Sequence, residues 1–323
     1  MRAAMITTLE GPSSVQVHEV ASPVPDAGEV LIEVHAAGVA FPEVLQSRGL
    51  YQLKPDLPFI PGAEVAGIVR ACPDGSGLEV GDRVAALPLL GGFAEQVCVR
   101  NDLVFPLPDS VSFEQGAAMI FNYGTAYFAL LERGGLVAGE SVLVHGAAGG
   151  IGTASIQVAK AFGASRVIAV TSTDEKGKVA VEAGADEYVL ADGFKDAVAR
   201  AGGVDIVVDP VGGDRFTDSL RCLKEDGRVL VIGFTAGEIP QVRVNRLLLN
   251  NISVVGVGWG AYVLPKPGHV AWEWEQMLPH LENGALAPVV GTSLPLEAVT
   301  DALHLIDTRR AQGKVVLNLR GKR

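Results

Sequence analysis

The sequence predicts an α/β protein in which a doubly wound parallel sheet accompanies a second, β-rich domain. Strand and helix patterns alternate after residue 117, which is the order that builds a parallel sheet with helices on both faces. Residues of the set AVILMFWYC make up 48% of the chain and aromatic residues only 6%, a mixture that suits buried parallel strands covered by helices.

The first part of the chain is predicted to be an irregular domain of short strands and turns. Apolar, β-branched runs are typical of strands, and prolines punctuate them. The predicted strands lie at residues 3–7, 15–20, 30–35 and 65–70, with a turn at 81–84 leading into another strand.

The second part of the chain alternates between predicted strands and helices, and the chain from residue 272 onward follows a different order. Strands are predicted at 141–145, 166–171, 188–191, 204–209 and 229–234, and helices at 115–131, 153–162, 175–183, 194–201 and 216–223. Helices at 272–282 and 296–309 and a closing strand at 314–319 follow. Alternating elements of this length specify a parallel sheet.

Charge and composition exclude several classes of protein. The net charge of −11 opposes non-specific attraction to nucleic acid or to an anionic membrane, so we expect neither partner. The long uncharged stretches are interrupted by glycine, and the N-terminus reads as a strand rather than a signal peptide, which makes a cytoplasmic location the expectation. Cys72, Cys98 and Cys222 lie too far apart in sequence to suggest a disulfide framework or a zinc site.

The strongest chemical signal is the glycine-rich segment GAAGGIG at residues 146–152. It places Ala147, Gly149 and Gly152 on an A-x-G-x-x-G frame between a predicted strand and a predicted helix, which is the context that a dinucleotide site requires. A tight turn leaves the strand, backbone N–H groups approach the pyrophosphate, and the last glycine lets the helix pack closely. Gly150 and Ile151 complete the predicted cofactor-binding turn.

The end of the second strand predicts which cofactor binds. An NAD site places Asp or Glu there for the ribose 2′-hydroxyl, but the segment after residue 170 reads TSTDEK. Ser172 and Glu175 fit a capping box, which leaves Asp174 as a partner of the helix dipole. Ser172, Thr173 and Lys176 would hold a 2′-phosphate, so we favour NADPH; the alternative is that Lys176 is an ordinary solvated lysine.

Several motifs in order resemble the zinc-independent quinone oxidoreductases, a zeta-crystallin-like family of the medium-chain dehydrogenase/reductase superfamily. The motifs are GVAFPEV at 38–44, RGLY at 48–51, LPFIPGAE at 57–64, GDRV at 81–84, GTAY at 124–127, GAAGGIG at 146–152, DPVGG at 209–213, GRVLVIGF at 227–234 and GVGWG at 256–260. The resemblance implies a GroES-like catalytic domain at 1–120, completed by 263–323, and a Rossmann cofactor domain at 121–262.

The resemblance also implies that no metal takes part. Zinc-dependent members of the superfamily carry ligands at the positions of Ala40, Ala63 and Phe121, none of which offers one here. Without a Lewis acid, reduction of an already polarised acceptor is more plausible than alcohol oxidation. In the family, Asn usually stands at Ala40, and in one branch a tyrosine stands at Leu45, so this chain lacks two polar groups near the substrate.

The family comparison supplies the catalytic candidates, each with a structural alternative. Tyr51 aligns with a tyrosine that related enoyl thioester reductases use near the substrate, and it could equally be a packing residue. Asn122 and Thr125 lie in the segment that faces the nicotinamide in the family. The same comparison adds two pairs to the cofactor-binding set, Gly233 with Phe234 and Gly258 with Trp259, although Trp259 on its own favours a core position.

Two polar residues at the ends of predicted buried strands are interpreted as structural. His145 just precedes the phosphate turn, and a lone histidine is more often a hydrogen-bonded structural residue than a catalyst. Asp209 ends a predicted buried strand and would cap the following turn.

The sequence therefore predicts an NADPH-dependent, metal-independent reductase that transfers hydride to a quinone or an α,β-unsaturated carbonyl, as a homodimer. Two alternatives stay open: an enoyl thioester reductase, and a cofactor-binding protein with little catalytic activity, which the loss of the family asparagine at Ala40 would favour.

Overall fold

The computed structural model describes residues 1–320 and divides into two compact units. Unit one comprises Met1–Phe121, Pro267–Glu282 and the chain from Pro288 onward; unit two comprises Asn122–Lys266 and Asn283–Ala287. The chain passes from unit one to unit two after Phe121 and returns after Lys266, which is one and four residues beyond the predicted boundaries. The sequence did not indicate that 283–287 joins unit two, where the amide of Gln157 donates to the carbonyl of Ala287 at 2.9 Å and its Oε1 accepts from the N–H of Ala287.

Unit one is built on a seven-stranded mixed sheet and a separate two-stranded one. Its elements before the crossing are β1 (Arg2–Ile6), β2 (Val15–Glu19), β3 (Glu29–Val39), α1 (Phe41–Gln46), β4 (Glu64–Ala71), β5 (Arg83–Ala86), β6 (Gln96–Arg100), β7 (Val104–Pro106) and α2 (Phe113–Gly116). The predicted strands are confirmed with small shifts, and β6 and β7 were not predicted.

The helix predicted at 115–131 is wrong as a single element. The structure has α2, then α3 (Ile120–Tyr127), then a π-helical turn at Phe128–Arg133. Ala118 and Met119 donate to the carbonyls three residues earlier, which closes α2 with tight turns. Gly116, the last residue of α2, lies directly before this break, and this local signal was not used in the prediction.

Unit two is the predicted doubly wound parallel sheet. Its strands are β8 (Ser141–His145), β9 (Arg166–Thr171), β10 (Glu187–Leu190), β11 (Val204–Asp209), β12 (Leu223–Val231) and β13 (Ser253–Gly256). Its helices are α4 (Gly150–Ala161), α5 (Asp174–Glu182), α6 (Phe194–Arg200), α7 (Arg215–Ser219), α8 (Asn245–Asn250) and α9 (Trp259–Val263). The sheet order β10-β9-β8-β11-β12-β13 reverses direction between β8 and β11, and dinucleotides bind at such a switch point.

The end of the chain returns to unit one. After α10 (His269–Glu282) come β14 (Val290–Pro295), α11 (Val299–Asp307) and β15 (Lys314–Asn318). Strand β15 pairs antiparallel with β3, with Val315 opposite Val39, and parallel with β14. The return of the C-terminal segment to the first domain, which the family resemblance implied, is therefore observed.

Within residues 1–320, no helix combines the length and the apolar character that crossing a membrane requires. The cytoplasmic location stays a prediction.

Candidate functional site

The glycine-rich segment forms a tight turn between β8 and α4. Gly146 has φ 58°, in the left-handed region that glycine favours, and the N–H of Gly149 returns to the carbonyl of Gly146 at 3.0 Å. Gly149 is the N-cap of α4, and the first bond within the helix runs from the N–H of Thr153 to its carbonyl at 2.9 Å. The N–H groups of the preceding helical residues, which have no partner within a helix, are those that a pyrophosphate would use.

Close packing at Gly152 leaves no room for a side chain. A Cβ on Gly152 would lie 2.3 Å from the carbonyl oxygen of Gly146 and 2.5 Å from the Cα of Ala147. The first turn of α4 therefore rests directly on the phosphate turn, which is the role of the last glycine in the dinucleotide frame. The backbone of this segment fits a pyrophosphate.

The capping box predicted for Ser172 and Glu175 is wrong. Thr173 is the N-cap of α5, in extended backbone geometry, and its Oγ1 accepts from the N–H of Lys176 at 3.3 Å. Strand β9 runs to Thr171, whose hydroxyl donates to the carbonyl of Thr173, and this bond moves the start of the helix one residue along the chain. The exposed Ser172 precedes the cap instead of forming it.

The predicted cofactor residues all follow the carboxyl ends of parallel strands. The turn at 146–152 follows β8, and Ser172, Thr173 and Lys176 follow β9. Gly233 and Phe234 follow β12, and Gly258 and Trp259 follow β13. Because all six strands of this sheet are parallel, these segments share one edge, where α/β proteins bind nucleotides.

Trp259 has a packing role within unit two. Its side chain is 4% exposed, and a Cβ on Gly124 of α3 would lie 2.8 Å from the Cζ2 of its ring. The glycine of the GTAY motif thus admits the indole, which agrees with the interpretation of Trp259 as a core residue.

His145 and Asp209 are structural, as predicted. The His145 ring is buried, its Nε2 lies 2.8 Å from Ser219 Oγ, and burial lowers its pKa to about 4. The Ser219 hydroxyl donates to the carbonyl of Arg215, so Nε2 carries the proton. Asp209 Oδ1 accepts from the N–H groups of Val211 and Gly212 at 2.8 and 2.9 Å and caps the turn after β11.

In unit one, a buried carboxylate bridges two of the positions that lack zinc ligands. Glu43 accepts from the N–H of Ala40 at 2.9 Å through Oε2 and from the N–H of Ala63 at 3.2 Å through Oε1. Burial raises the pKa of Glu43 to about 7, although the charge of Lys314 opposes the shift. Sequence reasoning missed Glu43; the available signal was its place three residues after the helix N-cap at Ala40.

A second buried carboxylate, that of Glu64, binds the backbone at the third position that lacks a zinc ligand, Phe121. Glu64 Oε2 accepts from the N–H of Phe121 at 3.0 Å, and Glu64 Oε1 forms an ion pair with the ammonium of Lys314 on β15. Both side chains are at most 3% exposed. Backbone N–H groups at all three positions are therefore bound to carboxylates of the chain itself.

The catalytic candidates belong to different units. Tyr51 lies in unit one and is half-buried; burial raises the pKa of its phenol, and the charge of Glu43 adds to the shift. Its hydroxyl therefore stays protonated at neutral pH and is available to donate a hydrogen bond or a proton. Asn122 and Thr125 lie on α3 at the start of unit two, and both are buried.

A β-rich unit interrupted by a parallel-sheet unit with a dinucleotide turn defines the medium-chain dehydrogenases/reductases. Residues 26–109 match the family described as alcohol dehydrogenase GroES-like domain, and residues 150–283 match that described as zinc-binding dehydrogenase. The chain is 38% identical to the mouse (Mus musculus) quinone oxidoreductase-like protein 2 over 99% of this chain and 92% of the relative. The chain belongs to the quinone oxidoreductase family of this superfamily.

Solved structures give the same result. A probable oxidoreductase from Mycobacterium abscessus superposes with a TM-score of 0.90 at 40% identity, covering 99% of each chain. The quinone oxidoreductase of Thermus thermophilus, solved also in complex with NADPH, superposes with a TM-score of 0.87 at 35% identity, covering 99% of this chain and 100% of that one. The cofactor of this relative agrees with the one predicted here from the end of β9.

Proposed function

We propose that the protein is an NADPH-dependent, metal-independent reductase that transfers hydride to a quinone or an α,β-unsaturated carbonyl. The observation that carries the proposal is the turn between β8 and α4, where Gly152 allows the helix to rest on the backbone of Ala147. The absence of an acid at the end of β9 supports NADPH over NADH. The NADPH complex of the Thermus thermophilus relative points the same way.

The chain's own residues bind and orient the reactants. N–H groups of Gly150, Ile151 and Gly152 would hold the pyrophosphate, and Ser172, Thr173 and Lys176 a 2′-phosphate. The bound cofactor supplies the hydride. Tyr51 is proposed to donate a hydrogen bond to the acceptor oxygen as negative charge develops there. Asn122 and Thr125 are proposed to contact the nicotinamide or the acceptor.

The decisive experiment is NADPH consumption over a panel of quinones, enones and enoyl thioesters, with and without a chelator. We expect turnover of quinones or enones that a chelator leaves unchanged, because Ala40, Ala63 and Phe121 offer no ligand side chain. Stoichiometric zinc together with inactivation by the chelator would contradict this. Turnover confined to enoyl thioesters would favour the enoyl thioester reductase, and tight NADPH binding without turnover would favour a cofactor-binding protein.

Replacing Tyr51 by phenylalanine tests its role with little change in packing. We expect enone turnover to fall by about tenfold or more, since a donor used only in the transition state is worth up to roughly 2.7–4 kcal/mol at a well-formed oxyanion site. The loss with quinones should be smaller, because a quinone stabilises its own reduced charge. Steady-state kinetics and NADPH titration measure this.

The same kinetics include Ala40→Asn as a second variant. Ala40 is an N-cap in extended geometry, a position that asparagine favours, so the fold should accept the change. Higher turnover would show that the loss of the family asparagine weakens catalysis.

If Tyr51→Phe leaves turnover of both acceptor classes unchanged, Tyr51 is a packing residue.

We also propose that the protein is a homodimer. Strand β13 is the edge of the parallel sheet, with Val254 exposed, and Leu248 and Leu249 of the adjacent α8 are 76% and 75% exposed. Within residues 1–320 no further strand pairs with β13. Such an edge beside apolar side chains is complementary to a second copy related by a two-fold axis. Light scattering should give a molar mass of about twice the 33.7 kDa of one chain. The double variant Leu248→Asp/Leu249→Asp should lower the measured mass to that of a single chain.

A further inference from the structure

Tyr188 of β10 touches the turn that is proposed to select the cofactor. Its hydroxyl donates to Asp174 Oδ1 at 3.1 Å, and Asp174 is the first residue of α5. Asp174 is the acid nearest to the end of β9, three residues beyond Thr171, and its side chain is exposed. In an NAD site a carboxylate in this region binds the ribose 2′-hydroxyl and repels a 2′-phosphate.

Gly177 allows the Tyr188 ring to pack closely against α5. A Cβ at residue 177 would lie 2.4 Å from the Cδ2 and 2.5 Å from the Cε2 of this ring. Glycine in a helix interior costs about 1 kcal/mol relative to alanine. The ring therefore lies directly on the helix, and its hydroxyl is held beside the first turn.

The charges around this turn are mixed. Asp174 and Glu175 are both in the first turn of α5, and Lys176 and Lys178 follow. The backbone N–H of Glu175 and the Thr173 hydroxyl lower the pKa of the Glu175 carboxyl. The hydrogen bond to Asp174 raises the pKa of Tyr188, so the phenol keeps its proton and remains the donor. Each acid of the turn thus has a donor within the chain.

We propose that Tyr188 determines cofactor choice by holding the Asp174 carboxylate toward β10, so that Asp174 does not bind a ribose 2′-hydroxyl and its repulsion of a 2′-phosphate at Ser172, Thr173 and Lys176 is weakened. Tyr188 acts through Asp174 and is a positioning residue. The inference rests on the proposed function, because it assumes that the cofactor ribose lies at the turn between β9 and α5.

The test is a double-mutant cycle measured by binding alone. NADPH and NADH are titrated by calorimetry into wild type, Tyr188→Phe, Asp174→Asn and the double variant. Tyr188→Phe is expected to weaken NADPH binding about five- to tenfold, because a released carboxylate faces the phosphate, while NADH binds equally well or more tightly. Asp174→Asn should abolish this effect, so that the double variant binds NADPH as Asp174→Asn does.

Two results would overturn the inference. One is an equal loss for both cofactors in Tyr188→Phe, which would indicate a structural role for the ring. The other is an effect of Tyr188→Phe that persists unchanged with asparagine at 174. Thermal unfolding of each variant checks that the fold is intact.

Lys176→Ala separates this inference from the proposed function. If wild type prefers NADPH and Lys176→Ala removes the preference, but Tyr188→Phe changes nothing, only the role of Tyr188 fails. If wild type does not distinguish the two cofactors and Lys176→Ala has no effect, the proposed NADPH site at this turn fails as well.

Discussion

Replacing Lys314 by methionine is expected to lower the free energy of unfolding by about 3–5 kcal/mol, which is the usual consequence of leaving a buried charge without its partner. The Lys314 ammonium and the Glu64 carboxylate form an ion pair and are at most 3% exposed. Methionine preserves much of the lysine volume, so the loss reports the charge rather than a cavity. Chemical denaturation with linear extrapolation measures it.

A double variant tests whether the loss of stability comes from the unpaired charge of Glu64. In Glu64→Gln/Lys314→Met both charges are removed, and the glutamine oxygen can still accept the N–H of Phe121 that Glu64 holds at 3.0 Å. We expect the double variant to recover most of the stability, because a buried ion pair contributes little net free energy compared with neutral groups of similar volume. Equal stability of Lys314→Met and wild type would show that the pair is not buried from solvent.

Replacing Gly152 by alanine is expected to weaken NADPH binding on the order of a hundredfold. The added Cβ would lie 2.3 Å from the carbonyl oxygen of Gly146, and both atoms belong to the backbone or to its first substituent, so the turn itself must shift. A shift of the turn misaligns the N–H groups that bind the pyrophosphate, and the loss of two hydrogen bonds to a charged group at about 1.5 kcal/mol each corresponds to about a hundredfold. Forced overpacking should also lower stability by about 1–3 kcal/mol.

Gly149→Ala is the matched control for the packing effect. Its Cβ would lie 3.4 Å from the same carbonyl oxygen, which is ordinary contact, and its φ of −85° is accessible to alanine. We therefore expect Gly149→Ala to preserve stability while weakening NADPH binding, because a methyl group would stand where the pyrophosphate approaches the backbone. Calorimetric titration and thermal unfolding of both variants separate the two effects. Unimpaired NADPH binding by Gly152→Ala would exclude this turn as the cofactor site.

The features that were predicted correctly from the sequence depend on residues that lie close together along the chain. The alternation of strands and helices in unit two and the turn at 146–152 were read from local periodicity and from glycine spacing. The prediction of one helix at 115–131 failed because Gly116, which directly precedes the interruption at Ala118 and Met119, was not read as a break. The cap of α5 shifted from Ser172 to Thr173 because the hydroxyl of Thr171 binds the backbone of Thr173.

The sequence by itself determined the class of fold and the segment that would hold a dinucleotide, since both depend on residues that are neighbours along the chain. Only the tertiary structure decided how the buried charges are arranged. Glu43 meets the N–H of Ala63, 20 residues away, and Lys314 meets Glu64, 250 residues away. The contact of Tyr188 with Asp174 likewise depends on the pairing of β9 with β10. Such contacts are set by strand register and by the path of the whole chain, which local periodicity does not encode.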